Sequence, residues 1–511
     1  MLPPKHAKNP LPLPSDAIGT HGARLPLILL ITTLAGCAAA GPDYKPMLAA
    51  APSGWSAWHG GSPALSTTHQ QNGSVSTLAA LFDDRVLDAL EAKALLANHD
   101  LLTAALRFAQ SRTQRVTVAA QRGLQVDASA SLKRQRESEN GAETRLLNEI
   151  APTSELNQLV SALSSPSNLY DAGFDASWEL DLWGRVRRSI EAADANVDAA
   201  AATLRAVQLD VSTELARNYF ELRDAQQQLR LTRVDIAAAE ESLALIRAKA
   251  DGGLNNDLDV NRQRAQLADM RSLLPGLLEQ EAQASNQLTL LTGLQPGALQ
   301  QELAPRMESE QAPVLPDLRL GLPSEFALRR PDIQGAQARL HAATANIGIA
   351  TADAYPRLTL GASFGLESVR GSNFGDWGSR QWSLGPSLSM PIFDHGRRLA
   401  TIQLRTLEQQ EAAISFQQTV LKAWHEIDSA LTSYTAQRQR QQQLAEKERS
   451  SRAAYVLARV RYRHGLTDYL VELDAWRTLL QAQRDDAQST SLLSIRLVSI
   501  YKALGGAAPD N

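Results

Sequence analysis

One residue in this sequence is placed for covalent chemistry: Cys37, the only cysteine among 511 residues. It closes the string Leu34-Ala35-Gly36-Cys37, directly after an apolar run from Leu25 to Ala35 preceded by Lys5, Lys8 and Arg24. Scattered positive charge, an apolar core too short to span a bilayer and a small-residue cleavage site make up a secretory signal peptide. The string has the form at which a bacterial signal peptide is cut and the new N-terminal cysteine acylated. Residues 1–36 are therefore predicted to be removed, with Cys37 carrying N-acyl and S-diacylglycerol lipid. Ala38 follows, where an aspartate would resemble the signal for retention at an inner membrane. A single cysteine also leaves no intrachain disulfide to form.

Nothing else in the chain points to bond-making chemistry. The nine histidines are scattered, with no His-x-x-x-His or His-Cys grouping that would suggest a metal site. No phosphate-binding glycine loop or serine nucleophile elbow occurs. His425-Glu426 sits inside a long helical run and reads as a solvated face, and five methionines give little support for a thioether path for copper. The expectation is no enzyme, no catalytic residue, no metal and no cofactor beyond the lipid. A net charge of −4 supplies no basic field for nucleic acid.

The elements are unusual in length. Residues 38 to about 81 are rich in Ala, Gly, Ser and Pro and read as an extended segment lying over a surface. Glycine and proline then vanish for 39 residues from Asp84 to Arg122, 66 from Arg185 to Ala250, 68 from Arg397 to His464 and 39 from Leu466 to Leu504. At ~1.5 Å per residue the two longest runs predict helices of about 100 Å. Ile190, Val197, Leu204, Val207, Val211, Leu215, Phe220 and Leu222 recur at mostly three-, four- or seven-residue steps. Such a stripe must be buried against neighbouring helices in coiled-coil fashion. Breaks at Asp251–Val260 and Arg463–Val471 separate each long run from a shorter one, with Gly253 and Gly465 suited to a left-handed helix cap.

Four segments alternate with period two: Leu124–Leu132, Phe174–Leu182, Leu358–Leu366 and Trp382–Met390. In the second, Phe174, Ala176, Trp178, Leu180 and Leu182 point one way, and Asp175, Ser177, Glu179 and Asp181 the other. Each is about as long as a tilted transmembrane strand, with one face for lipid and one for a water-filled lumen. Four strands close no pore, and an open sheet edge is not tolerated in lipid, so copies must associate. Three would give twelve strands, an even number within the known range. Gly184 and Gly396 fall where a strand turns into a helix, and Arg185, Arg187, Arg188, Arg397 and Arg398 follow as interfacial charge.

The two halves repeat each other. Trp178, Leu180, Leu182, Trp183, Arg187 and Arg188 match Leu388, Met390, Ile392, Phe393, Arg397 and Arg398 at an offset of 210, and Gly253-Leu254 matches Gly465-Leu466 at 212. The predicted organisation is a signal peptide (1–36), a lipidated extended segment (37–81), a first repeat (82–292), a proline-rich linker (293–323), a second repeat (324–505) and a tail (506–511). Each repeat reads helix, strand, loop, strand, long helix, tight break, helix. The outer connection is longer in the first half (about 133–173) than in the second (about 367–381).

This order, with the strings Phe174–Ala193, Arg329-Arg-Pro-Asp-Ile333, Gly385–Asp394 and Tyr501–Gly506, resembles the TolC-like outer-membrane factors, specifically their NodT-type lipoproteins. The resemblance covers essentially the whole mature chain. It implies an α+β membrane protein: a trimeric twelve-stranded outer-membrane β-barrel, four strands per chain, continuous with a periplasmic α-helical coiled-coil tunnel. It implies a passive exit duct in a tripartite efflux system for drugs or other small molecules. The partners would be a homotrimer, a periplasmic adaptor, an inner-membrane pump of the resistance-nodulation-division or a related class, and outer-membrane lipid. The resemblance assigns adaptor docking to Gly253, Leu254, Gly465, Leu466 and Thr467, and an inward carboxylate at the tunnel mouth to Asp474. Tyr462 and Asp259 fall on positions that tie inner and outer helical pairs in the closed state. Type I protein secretion through the same kind of duct is the alternative. A purely structural envelope coiled coil does not explain the period-two strands.

Overall fold

The computed structural model describes residues 39–47, 78, 82–141, 154–253, 256–305 and 329–506; Cys37 and Leu254 lie outside these. The two longest glycine- and proline-free runs are single helices, α4 (Arg185–Asp251) and α7 (Arg397–Arg463), of 67 residues each. At ~1.5 Å per residue each spans about 100 Å. Shorter helices return antiparallel from them, α5 (Asp257–Leu291) from α4 and α8 (Tyr469–Ala503) from α7. The predicted helix at 84–122 is two, α1 (Arg85–Ala97) and α2 (His99–Ala119). Asn98 breaks it: its side-chain oxygen caps α2 through the amides of Asp100 and Leu101, while its Nδ2 donates to Leu291 O at 3.0 Å. A helix α3 (Ser154–Leu163) stands within the long connection, and α6 (Pro331–Ala352) opens the second half with proline in its first turn.

Strands β1 (Gln125–Gln135), β2 (Ser167–Leu180), β3 (Arg357–Ser368) and β4 (Arg380–Ser389) form one antiparallel sheet in sequence order, so β1 and β4 are its free edges. β2 begins seven residues before the predicted Phe174, because Ser167–Gly173 pairs with the outer end of β1, from Ser129 to Gln135. Register decides the faces, since residues directly opposite on antiparallel strands share one. Ala128, Phe174, Phe364 and Trp382 are in line, as are Val126, Ala176, Ala362 and Leu384. The other face carries Asp127, Asp175, Ser363 and Ser383, and beside them Glu179, Thr359 and Ser387. Among the described residues no α-helix covers either face, and Phe174, Trp382, Leu384 and Leu388 stay exposed. A sheet apolar on one side and polar on the other, bare on both, belongs between lipid and water. No described helix is long and apolar enough to cross a membrane.

Below the sheet, α2 packs on α4, α4 on α6, and α6 on α7. Further down, α5, α4, α8 and α7 form a second row. A core of Leu87, Leu90, Leu215, Tyr219, Leu222, Leu288, Ile427, Leu431 and Leu497 fixes α1 to the long helices. The Tyr219 hydroxyl donates to Asp84 Oδ2 at 2.7 Å, and Asp84 Oδ1 caps α1 through the amide of Val86.

Candidate functional site

The junction between sheet and helices is built from backbone constraints. Gly184 and Gly396 each stand one residue ahead of a long helix in the left-handed region, at φ 76° and 82°. Aspartates cap both starts. Asp181 Oδ1 and Oδ2 accept from the amides of Val186 and Arg187 at 2.9 Å, and Asp394 accepts from those of Gly396 and Arg398. A carboxylate at a helix N-terminus faces the positive end of the dipole. Arg185 pairs with Glu179 through two hydrogen bonds of 2.9 and 2.8 Å.

The segment 39–47 is strapped across this junction. Ala40 N donates to Trp183 O at 2.8 Å, and the buried Arg188 donates to Ala40 O and Asp43, with Glu191 as its third partner. Tyr44 stacks on His341, whose Nε2 lies 3.0 Å from Glu191. Three glycines admit the strap. A Cβ at Gly184 would meet Ala39 at 2.6 Å, one at Gly41 would meet Gly348 at 2.5 Å, and one at Gly348 would meet Arg188 at 2.8 Å. Only Ala38 separates Ala39 from Cys37, two Cα steps with a reach of at most ~7 Å.

At the far end both long helices reverse on glycine. Gly465 (φ 68°) donates to Tyr462 O at 3.0 Å and Leu466 to Arg461 O at 2.9 Å, the two bonds of a Schellman cap. Gly253 (φ 72°) donates to Ala250 O, and Asn256 caps α5 through the amide of Asp259. Leu466 is 68 % exposed, Leu258, Leu470 and Val471 near the two turns are exposed as well, and Thr467 is half-buried.

Just above the turns the four helices are tied together. Lys249 on α4 donates to the Tyr462 hydroxyl on α7 at 3.2 Å, and its ammonium lies 4.5 Å from the ring centroid. Tyr462 packs on Tyr469 of α8, which donates to Gln263 of α5 at 2.6 Å, and Gln263 donates to Ala239 O of α4. Burial, with smaller effects from its neighbours, pushes the Tyr469 phenol up to about 12. Burial likewise raises the Glu472 carboxyl, against the pull of Arg459, Arg463 and Lys249.

Of the residues singled out from sequence, Tyr462 belongs to this cluster, but no hydrogen bond joins it to Asp259 among the described residues. Asp259 lies 3.7 Å from Arg262 one turn along its own helix. Asp474 is exposed, with no ion pair among the described residues, on the face of α8 away from buried Leu473 and Trp476. Lys249, Gln263 and Tyr469 escaped sequence reasoning. The one available signal was that Tyr462 and Tyr469 flank Gly465 on either side, within a turn of it. No grouping of acidic, histidine or cysteine side chains able to hold a metal occurs among the described residues.

This arrangement has known counterparts. The family model described as outer membrane efflux protein matches residues 90–294 and 322–506. The pyoverdine export outer membrane protein OpmQ of Pseudomonas putida is 33% identical over 94% of this chain and 97% of its own length. The toluene efflux pump outer membrane protein TtgF, also of Pseudomonas putida, is 32% identical over 94% and 96%. The solved structure of the outer-membrane channel OprN superposes with a TM-score of 0.79 at 34% identity, covering 91% of this chain and 98% of that one. With sheet, paired long helices and turns all inside the matched regions, the chain belongs to the outer membrane efflux protein family.

Proposed function

We propose that three copies of this chain close into an outer-membrane exit duct, through which an inner-membrane pump and a periplasmic adaptor discharge small molecules. The sheet carries the reading: four uncovered strands, lipid-like on one face and water-like on the other, with edges left free at β1 and β4. The helices below repeat the logic. In the row α2–α4–α6–α7 the outermost members expose apolar stripes, Leu102, Leu106 and Val116 on α2, and Leu407, Ile414 and Leu421 at seven-residue spacing on α7. Joining β4 and α7 of one copy to β1 and α2 of the next buries both, and such a head-to-tail contact closes as a ring. Three copies bring twelve strands, which suits a tunnel wide enough for small molecules. The two halves, 82–292 and 324–505, read as repeats of one unit.

Cys37 is the proposed lipid anchor. The strap holds Ala39 against Gly184, so the acyl chains emerge at the foot of the sheet, where Leu182, Trp183 and Tyr355 are exposed. Gly253, Leu254, Gly465, Leu466 and Thr467 form the proposed adaptor surface, and exposed Leu466 suits an apolar contact. Asp474 would ring the mouth with three carboxylates. Lys249, Tyr462 and Tyr469 act as the latch of the closed state. Small-molecule export is favoured over type I protein secretion because relatives along nearly the whole chain are named for pyoverdine and toluene.

The test pairs two measurements. Purified full-length protein in planar bilayers is expected to give discrete ion conductance, and a deletion strain to lose tolerance to small toxic compounds. Conductance without any change in tolerance or export, in a strain lacking other such channels, would refute the efflux assignment while sparing the pore.

A further inference from the structure

The apolar interior of the helical tunnel wall is interrupted. One core ends at Leu222 on α4, Ala284 on α5, Tyr434 on α7 and Leu493 on α8. A second begins at Ile236 on α4, Met270 on α5, Tyr455 on α7 and Leu480 on α8, and runs to the turns. Between them lies a belt whose buried side chains are mostly polar. Gln226, Gln228, Thr232 and Asp235 come from α4, Gln437 from α7 and Ser489 from α8, with Leu229 the one large apolar side chain fully inside. The string Gln226-Gln-Gln-Leu229 recurs as Gln441-Gln-Gln-Leu444, so both long helices carry glutamines at this level.

The bonds across the belt are side chain to backbone or to one another. Gln228 donates to Arg484 O at 3.1 Å, Gln437 to Ser489 O and Oγ at 3.0 and 2.7 Å, Gln441 to Asp486 at 3.4 Å, and Gln226 to Glu281 at 3.3 Å. Several polar atoms find nothing. Thr232 Oγ1, Asp224 Oδ1 and Arg484 Nη1 are buried without a hydrogen-bond partner. Asp235 accepts no hydrogen bond among the described residues, and Arg484 is the charge acting on it. Glu240 is committed to Arg271, and Asp485 to Lys447.

The return helix is weakened at the same level. Pro275 stands inside α5, where it cannot donate to the carbonyl of Arg271, and Gly276 follows with open space around it. The contacts Gln226–Glu281 and Glu240–Arg271 bracket Pro275, placing it opposite the polar stretch of α4.

We propose that this belt is a hinge, at which the lower bundle with its own apolar core bends as a unit against the bundle above. Close-packed apolar cores resist deformation, so bending concentrates where packing is replaced by exchangeable hydrogen bonds. Water entering the belt supplies partners to Thr232 Oγ1, Asp224 Oδ1 and Arg484 Nη1, which have none among the described residues. The hinge stands on the packing alone; its service in opening the turns rests on the duct reading.

Hydrogen exchange of the intact protein in detergent micelles tests it. Amides of 224–235 and 272–279 are expected to exchange about tenfold or more faster than those of 211–222 and 239–246. Equal or stronger protection in the belt would overturn the hinge. The variant P275A/G276A is expected to slow exchange at 272–279 and to lower the open fraction in planar bilayers. Slowed exchange with unchanged opening would leave the hinge standing and overturn its role in opening. Unchanged exchange would overturn the part assigned to Pro275.

Discussion

The latch makes a quantitative prediction. Lys249 holds Tyr462 twice, by the 3.2 Å hydrogen bond and by the ammonium 4.5 Å from the ring centroid. Both side chains are half-buried, so each contact is worth about 1 kcal/mol, below the ~1.5–3 kcal/mol of a well-buried charged hydrogen bond because water competes for the ammonium, and mid-range for a cation–π pair. Tyr462→Phe removes the first and keeps the second. Lys249→Met removes both and keeps the aliphatic stem. If the three copies of the proposed trimer open together, the losses are about 3 and 6 kcal/mol. At ~1.4 kcal/mol per decade, those are shifts of about two and four decades in the open-to-closed ratio. Single-channel recording in planar bilayers reads this directly, as open probability. The informative result is the ordering: Lys249→Met must exceed Tyr462→Phe by about the square. Equal shifts would refute the ring contact, and no shift in either would refute the latch.

Other predictions are independent of the latch. Asp84→Ala removes the cap of α1 and the acceptor of the buried Tyr219 hydroxyl proton, so unfolding should become easier by about 2–4 kcal/mol in denaturant titrations. Tyr219→Phe should cost about 1 kcal/mol. Gly348→Val drives a side chain into Arg188 and Ala40 O, so a cysteine placed at Ala40 should react with maleimide at least ~10-fold faster in that background. An unchanged rate would mean the strap is not seated by this cradle. Burial pushes Asp235 up to about 6 from its ordinary 3.8, against the pull of Arg484. The folded chain therefore binds this proton more tightly than the unfolded chain, and the resulting stability is full below pH 3.8 and lost as pH rises through 6. Asp235→Asn should flatten stability against pH in that window, by up to about 3 kcal/mol, when thermal unfolding is followed by circular dichroism. Asp474→Asn should lower cation-over-anion selectivity in asymmetric salt, whereas unaltered reversal potentials would remove Asp474 from the mouth.

Periodic elements were legible in the sequence because period and punctuation are local. Helices α4 and α7 match their glycine- and proline-free runs to within one residue at either end. The four strands lie where alternation places them, and opposite registers align their apolar sides. The ends of β1 and β2 were less visible, because Lys133, Arg134 and Asp171 break the alternation there although the pairing continues. Asn98 looked like one more polar residue on a helix, since its partner Leu291 is 193 positions away. The latch failed for the same reason. Lys249 and Tyr462 are separated by 213 residues, and a half-buried lysine near a helix end has no local signature. The belt was half visible: its glutamine runs and Pro275 stand in the sequence, but only packing shows that they share a level.

Closure of the sheet is the claim on which the rest depends, and a covalent ladder tests it most directly. Full-length protein carrying one cysteine on β1, at Ser129 or Ser131, and one on β4, at Ser383 or Ser387, would be oxidised in the membrane. Cys37, acylated under the lipid-anchor proposal, would stay out of the reaction. Head-to-tail closure predicts bands at two and three protomers, with the ladder ending at three once oxidation is complete. A ladder running past three, or one that stops at a single chain for every pair, would contradict a closed ring of three copies.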